Sequence, residues 1–163
     1  MGFYYKGAAA MLVEQLMLKH VVTIAETDSV KAFIKLMIDH KIGGAPVVND
    51  DHQLVGYISD GDVLRKIVPK QKTIYDLYSL IEAIHVEMSQ DKLKDLLDLP
   101  VNVVMKKRNV QTVRGEQDID AVLRILSRHH IKQIPVVDDE RHVIGLVSRS
   151  QMIRHIGGQL IHQ

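Results

Sequence analysis

Three absences limit what this 163-residue chain can do. It contains no cysteine, which excludes disulfide bonds, thiolate catalysis and cysteine-ligated zinc. Its 21 Lys and Arg balance 20 Asp and Glu, so it lacks the positive electrostatic field that would attract it to nucleic acid or to an anionic membrane. No apolar run approaches the ~20 residues of a membrane span, and the N-terminus lacks a signal-peptide pattern. We therefore predict a cytoplasmic protein that binds neither nucleic acid nor membrane.

What the chain does contain is an internal repeat. Residues 21–67 and 110–156 are two copies of one pattern, displaced by 89 positions. With 46% hydrophobic residues, the chain can bury a substantial core, and two half-size units fit its length. The identical pairs include Pro46 with Pro135, Gly56 with Gly145, Ser59 with Ser148, Arg65 with Arg154 and Ile67 with Ile156.

Hydrophobic periodicity predicts the order strand, helix, strand, strand, helix in each copy. The first copy is predicted to contain a strand over 21–24, a helix with an apolar stripe from Val30 to Ile38, strands over 45–48 and 54–58, and a helix from Asp60. Thr27, Asp28 or Ser29 is the expected cap of the first helix, and Gly43-Gly44 its expected end. The second copy repeats this order, with strands over 110–113, 134–137 and 143–147 and a closing helix from Arg149.

The remaining segments have no counterpart in the repeat. Residues 1–10 contain the cluster Phe3-Tyr4-Tyr5, which is interpreted as an expression remnant or disordered tail, or alternatively as a contact for a partner subunit. Apolar residues from Ile74 to Met88, and then Leu93, Leu96 and Leu97 after a Ser89 cap, indicate helices that must bury a face on the repeats or on another chain. We predict a tail (1–10), a first repeat domain (11–68), a helical insertion (69–99) and a second repeat domain (100–163).

The nine histidines, among them His40, His129, His130 and His155, do not form a recognised metal-ligand spacing. His40 and His129 occupy equivalent helix ends, where histidine suits the helix dipole. No carboxylate pair or nucleophile with its base stands out, and Ser59 and Ser148 lie outside a nucleophile-elbow pattern. We expect no metal site, no catalytic cofactor and no enzymatic activity.

The repeat resembles the cystathionine-β-synthase (CBS) domain. The resemblance rests on Ile42-Gly43-Gly44-Ala45-Pro46-Val47-Val48-Asn49 with Val55-Gly56-Tyr57-Ile58-Ser59-Asp60-Gly61-Asp62, and on the matching segments 131–138 and 144–148. Each motif alone is weak, whereas the tandem arrangement is specific. The resemblance implies an α+β fold, in which two CBS-type βαββα repeats pack about a pseudo-twofold axis as a Bateman module, with an inter-repeat helical insertion.

In such modules a Gly-x-x-Ser/Thr-x-x-Asp pattern binds the ribose of an adenosine-containing ligand. Gly56, Ser59 and Asp62 match it intact. An ionised carboxylate is an acceptor only, and the ribose diol offers it two adjacent donors. By the same resemblance, adenine would lie against Thr23, Ile24 and the backbone of Gly43, Gly44 and Ala45. The residue-based alternatives are that Asp62 only suits the helix dipole, that the serines only cap helices and that the glycines only end one.

The second copy departs from the pattern, because Gly145 and Ser148 are followed by Gln151 in place of the aspartate. We therefore expect one good ribose site rather than two. In this family, phosphate contacts often come from basic residues of the opposite repeat, and Lys132 and Arg149 hold the matching positions. Both are alternatively solvated surface charges.

The resemblance implies a stand-alone regulatory module that binds an adenosine-containing ligand, AMP, ADP, ATP or S-adenosylmethionine, in the inter-repeat cleft. It would signal occupancy to an unidentified effector protein, and such modules often form homodimers. The alternative is a ligand-independent dimerisation or protein-interaction module that acts through the helices of residues 74–99.

Overall fold

The computed structural model describes residues 11–67 and 90–161. Its elements, in chain order, are α1 (Val13–Leu16), β1 (Ile24–Ala25), α2 (Val30–His40), β2 (Gly44–Val48), β3 (Leu54–Ser59), α3 (Asp60–Ile67), α4 (Gln90–Asp98), α5 (Val101–Val104), α6 (Ile119–Arg128), β4 (Gln133–Val137), β5 (Val143–Ser148) and α7 (Arg149–Ile161). They form two compact units. The first-copy unit comprises residues 22–110 and the second-copy unit residues 11–21 with 111–161, within the described ranges. The predicted α+β class is confirmed.

The first-copy unit is built on a three-stranded sheet in the order β1-β2-β3. β1 runs parallel to β2, and β2 pairs antiparallel with β3, with Gly44 opposite Ser59 and Pro46 opposite Tyr57. Alternate residues of a strand face opposite sides of its sheet. One face therefore carries its apolar side chains into a core with α2, α3 and α5, whose buried members include Ile24, Val30, Phe33, Ala45, Val47, Ile58, Val63 and Val101.

Ser29 and Lys41 set the two ends of helix α2. Of the three predicted caps, Ser29 is the one that the structure uses, because its Oγ accepts a hydrogen bond from the Ala32 N–H at 3.1 Å. The helix ends at Lys41, which adopts a left-handed conformation with φ 54°. The prediction that Gly43-Gly44 ends this helix is therefore wrong, since Gly44 is already the first residue of β2.

The second-copy unit repeats the antiparallel pair as β4 and β5, around a core that includes Val122, Ile134, Val136, Val147 and Met152. The predicted strand over 110–113 is reduced to a single parallel bridge between Val113 and Val136. Val113 exchanges only two backbone hydrogen bonds with β4, which is too few to form a strand.

Each unit also includes a short helix that precedes the other copy in sequence. In the first-copy unit the segment after α5 pairs with β3 through Lys106 and Tyr57, and in the second-copy unit the segment after α1 pairs with β5 through Leu18 and Leu146. The compact units therefore place α1 with the second copy and α5 with the first copy. Glycine makes this packing possible, because a Cβ at Gly56 would lie 2.4 Å from the Met105 sulfur.

Part of the predicted helical insertion is described by α4. This helix packs against α2 and α3 of its own unit, and its Leu96 is buried. The stripe over residues 74–88, the Ser89 cap and the cluster Phe3-Tyr4-Tyr5 lie outside the described residues.

Candidate functional site

The candidate site lies on the face of the first-copy sheet that points away from its helical core. Because directly paired residues share a face of the sheet, Gly44 and Ser59 lie on this side together with Pro46 and Tyr57. We call it the outer face. Ser59 ends β3 and Asp60 begins α3, so strand and helix meet here without a loop.

Asp62 is held at this junction by Ser59. Its Oδ2 accepts hydrogen bonds from the Ser59 backbone N–H at 2.8 Å and from the Ser59 hydroxyl at 2.7 Å. A side chain in the first turn that reaches back to the residue before the helix satisfies one of the free N–H groups at the helix start. The other carboxylate oxygen forms an ion pair with Arg65. The sequence pattern Ser-x-x-Asp is therefore a helix-capping device as well as a candidate ribose site.

The equivalent junction in the second-copy unit is capped by a neutral group. The Ser148 N–H donates to the Gln151 Oε1 at 2.8 Å, and the Gln151 N–H donates back to the Ser148 Oγ at 3.2 Å. The Gln151 amide also donates to the Leu16 carbonyl at 3.4 Å. Glutamine thus preserves the helix cap while removing the charge, so the two copies share the architecture of the junction but differ in its electrostatics.

Tyr57 covers Gly44 on the outer face. A Cβ at Gly44 would lie 2.8 Å from the Ile58 carbonyl oxygen and 3.0 Å from the Tyr57 hydroxyl. Burial, followed by the nearby carboxylates of Asp60 and Asp62, raises the pKa of the Tyr57 phenol well above its usual range, so the group stays protonated even at alkaline pH. Tyr57 was absent from the predicted site. The alternation of β3, which puts it on the same side as Ser59, is the signal that identifies it.

The residues predicted to contact adenine fall into two groups. Ile24 and Ala45 are buried in the core of the first-copy unit, so only their backbone atoms remain for a ligand. Thr23 precedes β1 and is half-buried. Gly43 is exposed, and a Cβ there would meet only the Asp60 carboxylate at 3.6 Å, whereas Gly44 has no room for a side chain.

The two predicted phosphate-binding residues belong to the second-copy unit. Arg149 uses its Nη2 to donate to the carbonyls of Leu126, His129 and Ile131, at 3.3, 3.2 and 2.9 Å. It therefore satisfies carbonyls at and beyond the end of α6. Lys132 is exposed, and its carbonyl accepts the Arg149 N–H at 2.9 Å. Their contact with phosphate stays a prediction.

Among the described residues, no group of three or more His, Asp or Glu side chains is placed to hold a metal ion. Within the same ranges, no helix has the length and apolar character needed to cross a membrane.

The CBS domain family model matches residues 13–69 and 101–158 of this chain. The chain belongs to the CBS domain family. The two matched ranges are a tandem pair of CBS domains, which confirms the resemblance inferred from the repeated motifs.

Relatives of this CBS pair include the uncharacterized protein MJ1426 of Methanocaldococcus jannaschii, 34% identical over 152 residues that cover 88% of this chain and 89% of that protein. The L-aspartate semialdehyde sulfurtransferase of the same organism is 26% identical over 148 residues. That match covers 91% of this chain but only 24% of the enzyme, so the similarity is confined to a small part of the enzyme.

Solved structures show the same fold. The CBS domain pair of protein MJ0100, crystallised with 5′-methylthioadenosine and S-adenosyl-L-methionine, is 26% identical with a TM-score of 0.67, and the match covers 93% of this chain and 99% of that one. CBSX2 from Arabidopsis thaliana, a CBS-pair protein, has a TM-score of 0.72 at 22% identity, covering 95% and 99% of the two chains.

Proposed function

We propose that this CBS pair is a regulatory module that binds an adenosine-containing ligand on the outer face of the first-copy sheet. The observation that carries the proposal is the carboxylate of Asp62 at the β3–α3 junction, where the other copy has the amide of Gln151. The Ser59 hydroxyl and the Tyr57 phenol lie on the same face of the sheet and supply further polar groups.

The chemistry of Asp62 suits a ribose diol. A carboxylate has about four acceptor positions, and Ser59 occupies only one oxygen. The Arg65 ion pair on the other oxygen is a weak competitor, because the Arg65 side chain is 72% exposed whereas that of Asp62 is 13% exposed. Two ribose hydroxyls can therefore donate charge-assisted hydrogen bonds to Asp62.

The class of ligand follows from the relatives. The CBS pair of MJ0100 was crystallised with two ligands that both contain adenosine. We accordingly propose AMP, ADP, ATP or S-adenosylmethionine for this chain, with Lys132 and Arg149 of the second-copy unit as candidate contacts to the charged end. A ligand regulates only if it prefers one arrangement of the protein to another, so the proposal includes an effector protein that responds to occupancy. Residence in the cytoplasm remains a prediction.

Calorimetric titration with AMP, ADP, ATP and S-adenosylmethionine tests this proposal. Asp62→Asn is the informative variant, because the amide oxygen retains an acceptor for Ser59 but loses the charge. We expect one ligand to bind the wild type, and its affinity to fall about tenfold or more in Asp62→Asn. Gln151→Ala is the matched control, which alters the other junction and is expected to leave affinity unchanged. A folded wild type that binds none of the four ligands refutes the proposal.

We also propose that a second copy of the chain covers an apolar groove of about 490 Å³ between α2 and α3. Ile38 and Leu64 line it and are 71% and 51% exposed. Lys41 and Asp60 lie at the same groove, so a twofold-related copy can set each lysine against the partner's aspartate. This observation favours a homodimer that uses α2 and α3.

The mass of the protein in solution, measured by light scattering, tests the dimer. Ile38→Lys and Asp39→Asn each add one unit of positive charge to α2, but only Ile38 lines the groove. We expect Ile38→Lys to give a monomer and Asp39→Asn to leave the dimer intact. A dimer that tolerates Ile38→Lys would shift attention to the alternative interface of residues 74–99. Of that segment, Leu96 is already buried by its own chain and contributes little exposed surface.

A further inference from the structure

Lys106 faces the same side of the first-copy sheet as Tyr57. The Tyr57 N–H donates to the Lys106 carbonyl at 3.0 Å, and the Lys106 N–H donates to the Tyr57 carbonyl at 2.9 Å. Antiparallel residues that exchange both hydrogen bonds are directly opposite, and their side chains share a face of the sheet. Lys106 therefore extends the outer face beyond the edge of β3.

The neighbour of Lys106 confirms this orientation. Met105 is buried in the core of the first-copy unit, with its sulfur against Gly56 on the inner side of the sheet. In extended chain the next side chain points the opposite way, and Lys106 is indeed exposed. Lys106 forms no ion pair with any residue of the described ranges, so its ammonium is available to a ligand.

The outer face is consequently acidic at one end and basic at the other. Asp60 and Asp62 lie at the start of α3, next to Ser59. Tyr57, with Lys106 beside it, is two residues earlier on β3, about 7 Å away along the strand. An adenosine derivative with a 5′ anionic group has the complementary polarity, because its diol donates hydrogen bonds while its anionic end requires a cation and is repelled by carboxylates.

The second-copy unit lacks this polarity. The equivalent backbone bridge joins Leu18 and Leu146, so an apolar pair replaces Lys106 and Tyr57. Since Gln151 also replaces Asp62 there, both ends of the charge pattern are missing together. The second copy therefore lacks the counterparts of both Lys106 and Asp62, which supports a common role for these two charges in the first copy.

We propose that the Lys106 ammonium binds the anionic group linked to the 5′ carbon of the ligand, a phosphate or a carboxylate, and thereby selects charged over uncharged adenosine derivatives. The proposal rests on the ribose site at Asp62. It places the charge for the 5′ end within the first-copy unit itself, in addition to the candidates Lys132 and Arg149.

Two pairs of probes test it by calorimetry: AMP against adenosine, and S-adenosylhomocysteine against 5′-methylthioadenosine, which share a neutral thioether at the 5′ position. In Lys106→Met we expect the affinity for the member that carries the anionic group to fall about tenfold, with the other member unchanged. The AMP pair reports a phosphate and the S-adenosylhomocysteine pair a carboxylate. Lys106→Arg is expected to restore most of the affinity. Lys107→Met, which removes the adjacent exposed lysine outside the bridge, should change neither member.

The outcomes separate this proposal from the one on which it depends. A wild type that binds a charged probe through Asp62, with unchanged affinity in Lys106→Met, overturns the role of Lys106 alone. Equal losses for charged and uncharged probes also overturn it, because they indicate a structural effect. A folded wild type that binds none of these probes and none of ADP, ATP and S-adenosylmethionine overturns both proposals.

Discussion

Asp62 accepts two hydrogen bonds from Ser59, from its backbone N–H at 2.8 Å and from its hydroxyl at 2.7 Å. In the other copy Gln151 makes the backbone bond at the same distance without a charge. Capping the helix therefore requires an acceptor at this position but not an anion. A carboxylate at Asp62 exceeds what the fold needs, which is the reason to look for a ligand there.

Because the helix cap needs an acceptor but not a charge, two substitutions of Asp62 should differ in their effect on the stability of the fold. Asp62→Ala removes the acceptor, and we expect it to lower the free energy of unfolding by about 1 kcal/mol. Asp62→Asn keeps an acceptor and should stay within about 0.5 kcal/mol of the wild type, since the exposed Arg65 pair contributes little. Urea denaturation of both variants is the measurement. If Asp62→Asn is as unstable as Asp62→Ala, the charge itself holds the helix start.

The adjacent glycines are predicted to differ in their tolerance of alanine. A Cβ at Gly44 would lie 2.8 Å from the Ile58 carbonyl, a backbone atom that cannot move alone, whereas at Gly43 the nearest atom is 3.6 Å away. We expect Gly44→Ala to cost about 1–3 kcal/mol of unfolding free energy and Gly43→Ala to change it by less than about 0.5 kcal/mol. Thermal and urea unfolding measure both. Equal costs would mean that a constraint other than packing acts on this pair.

The parts of the fold that follow from local pattern were predictable from the sequence. Apolar spacing located α2 and α6, and the paired Gly-x-x-Ser motifs located both strand-to-helix junctions with Ser59 and Ser148. The two copies can also be compared with each other. The importance of Gln151 is visible only because the equivalent residue of the first copy is Asp62.

The features that could not be predicted from the sequence depend on pairing between residues that are distant along the chain. The displacement of 89 aligns the strands but not the preceding helices, where a displacement of 88 places Val13 on Val101 and Met17 on Met105. Because of this one-residue difference in displacement, the comparison of the two copies did not identify the segments that pair with β3 and β5. Lys106 was missed for the same reason, because its position beside Tyr57 is set by a strand register between residues distant in sequence.

A turn that occurs in both copies predicts a pH effect at Asp138. Its Oδ1 accepts the N–H groups of Glu140 and His142, at 3.0 and 2.8 Å, and its Oδ2 lies 3.0 Å from the His142 ring nitrogen. Desolvation acts to raise the pKa of Asp138, but the hydrogen bonds from the His142 backbone and ring outweigh it, so the pKa lies below its ordinary 3.8. Asn49 makes the same two backbone contacts in the first copy.

A carboxyl group whose pKa is lower in the folded state stabilises the fold above its unfolded pKa, and this contribution is lost as pH falls through the folded value. We therefore expect the stability difference between wild type and Asp138→Asn to shrink below about pH 4, where Asp138 becomes protonated in the folded protein. Urea denaturation across this range measures it. A difference that is unchanged by acid would show that the charge of Asp138 makes no contribution beyond that of an amide.

Gly56 and Gly145 contact the segments that follow α5 and α1, and they allow a sharper test of how these segments pack. The three atoms nearest to a Cβ at Gly145 all belong to the Met17 side chain, with the sulfur at 2.3 Å, whereas a Cβ at Gly56 would meet the Met105 sulfur at 2.4 Å and also the Lys106 carbonyl at 2.9 Å. A methionine side chain can move or be shortened, but a carbonyl in a backbone bridge cannot.

Shortening the methionine should therefore rescue one glycine variant and not the other. We expect Gly145→Ala and Gly56→Ala each to lower the unfolding free energy by about 1–3 kcal/mol. Relative to the single Met17→Ala variant, adding Gly145→Ala should cost little, whereas adding Gly56→Ala to Met105→Ala should still be costly. Double-mutant cycles in urea measure both couplings. Equal rescue in the two units would show that the Lys106 segment can withdraw from β3, and Lys106 would then no longer be fixed beside Tyr57.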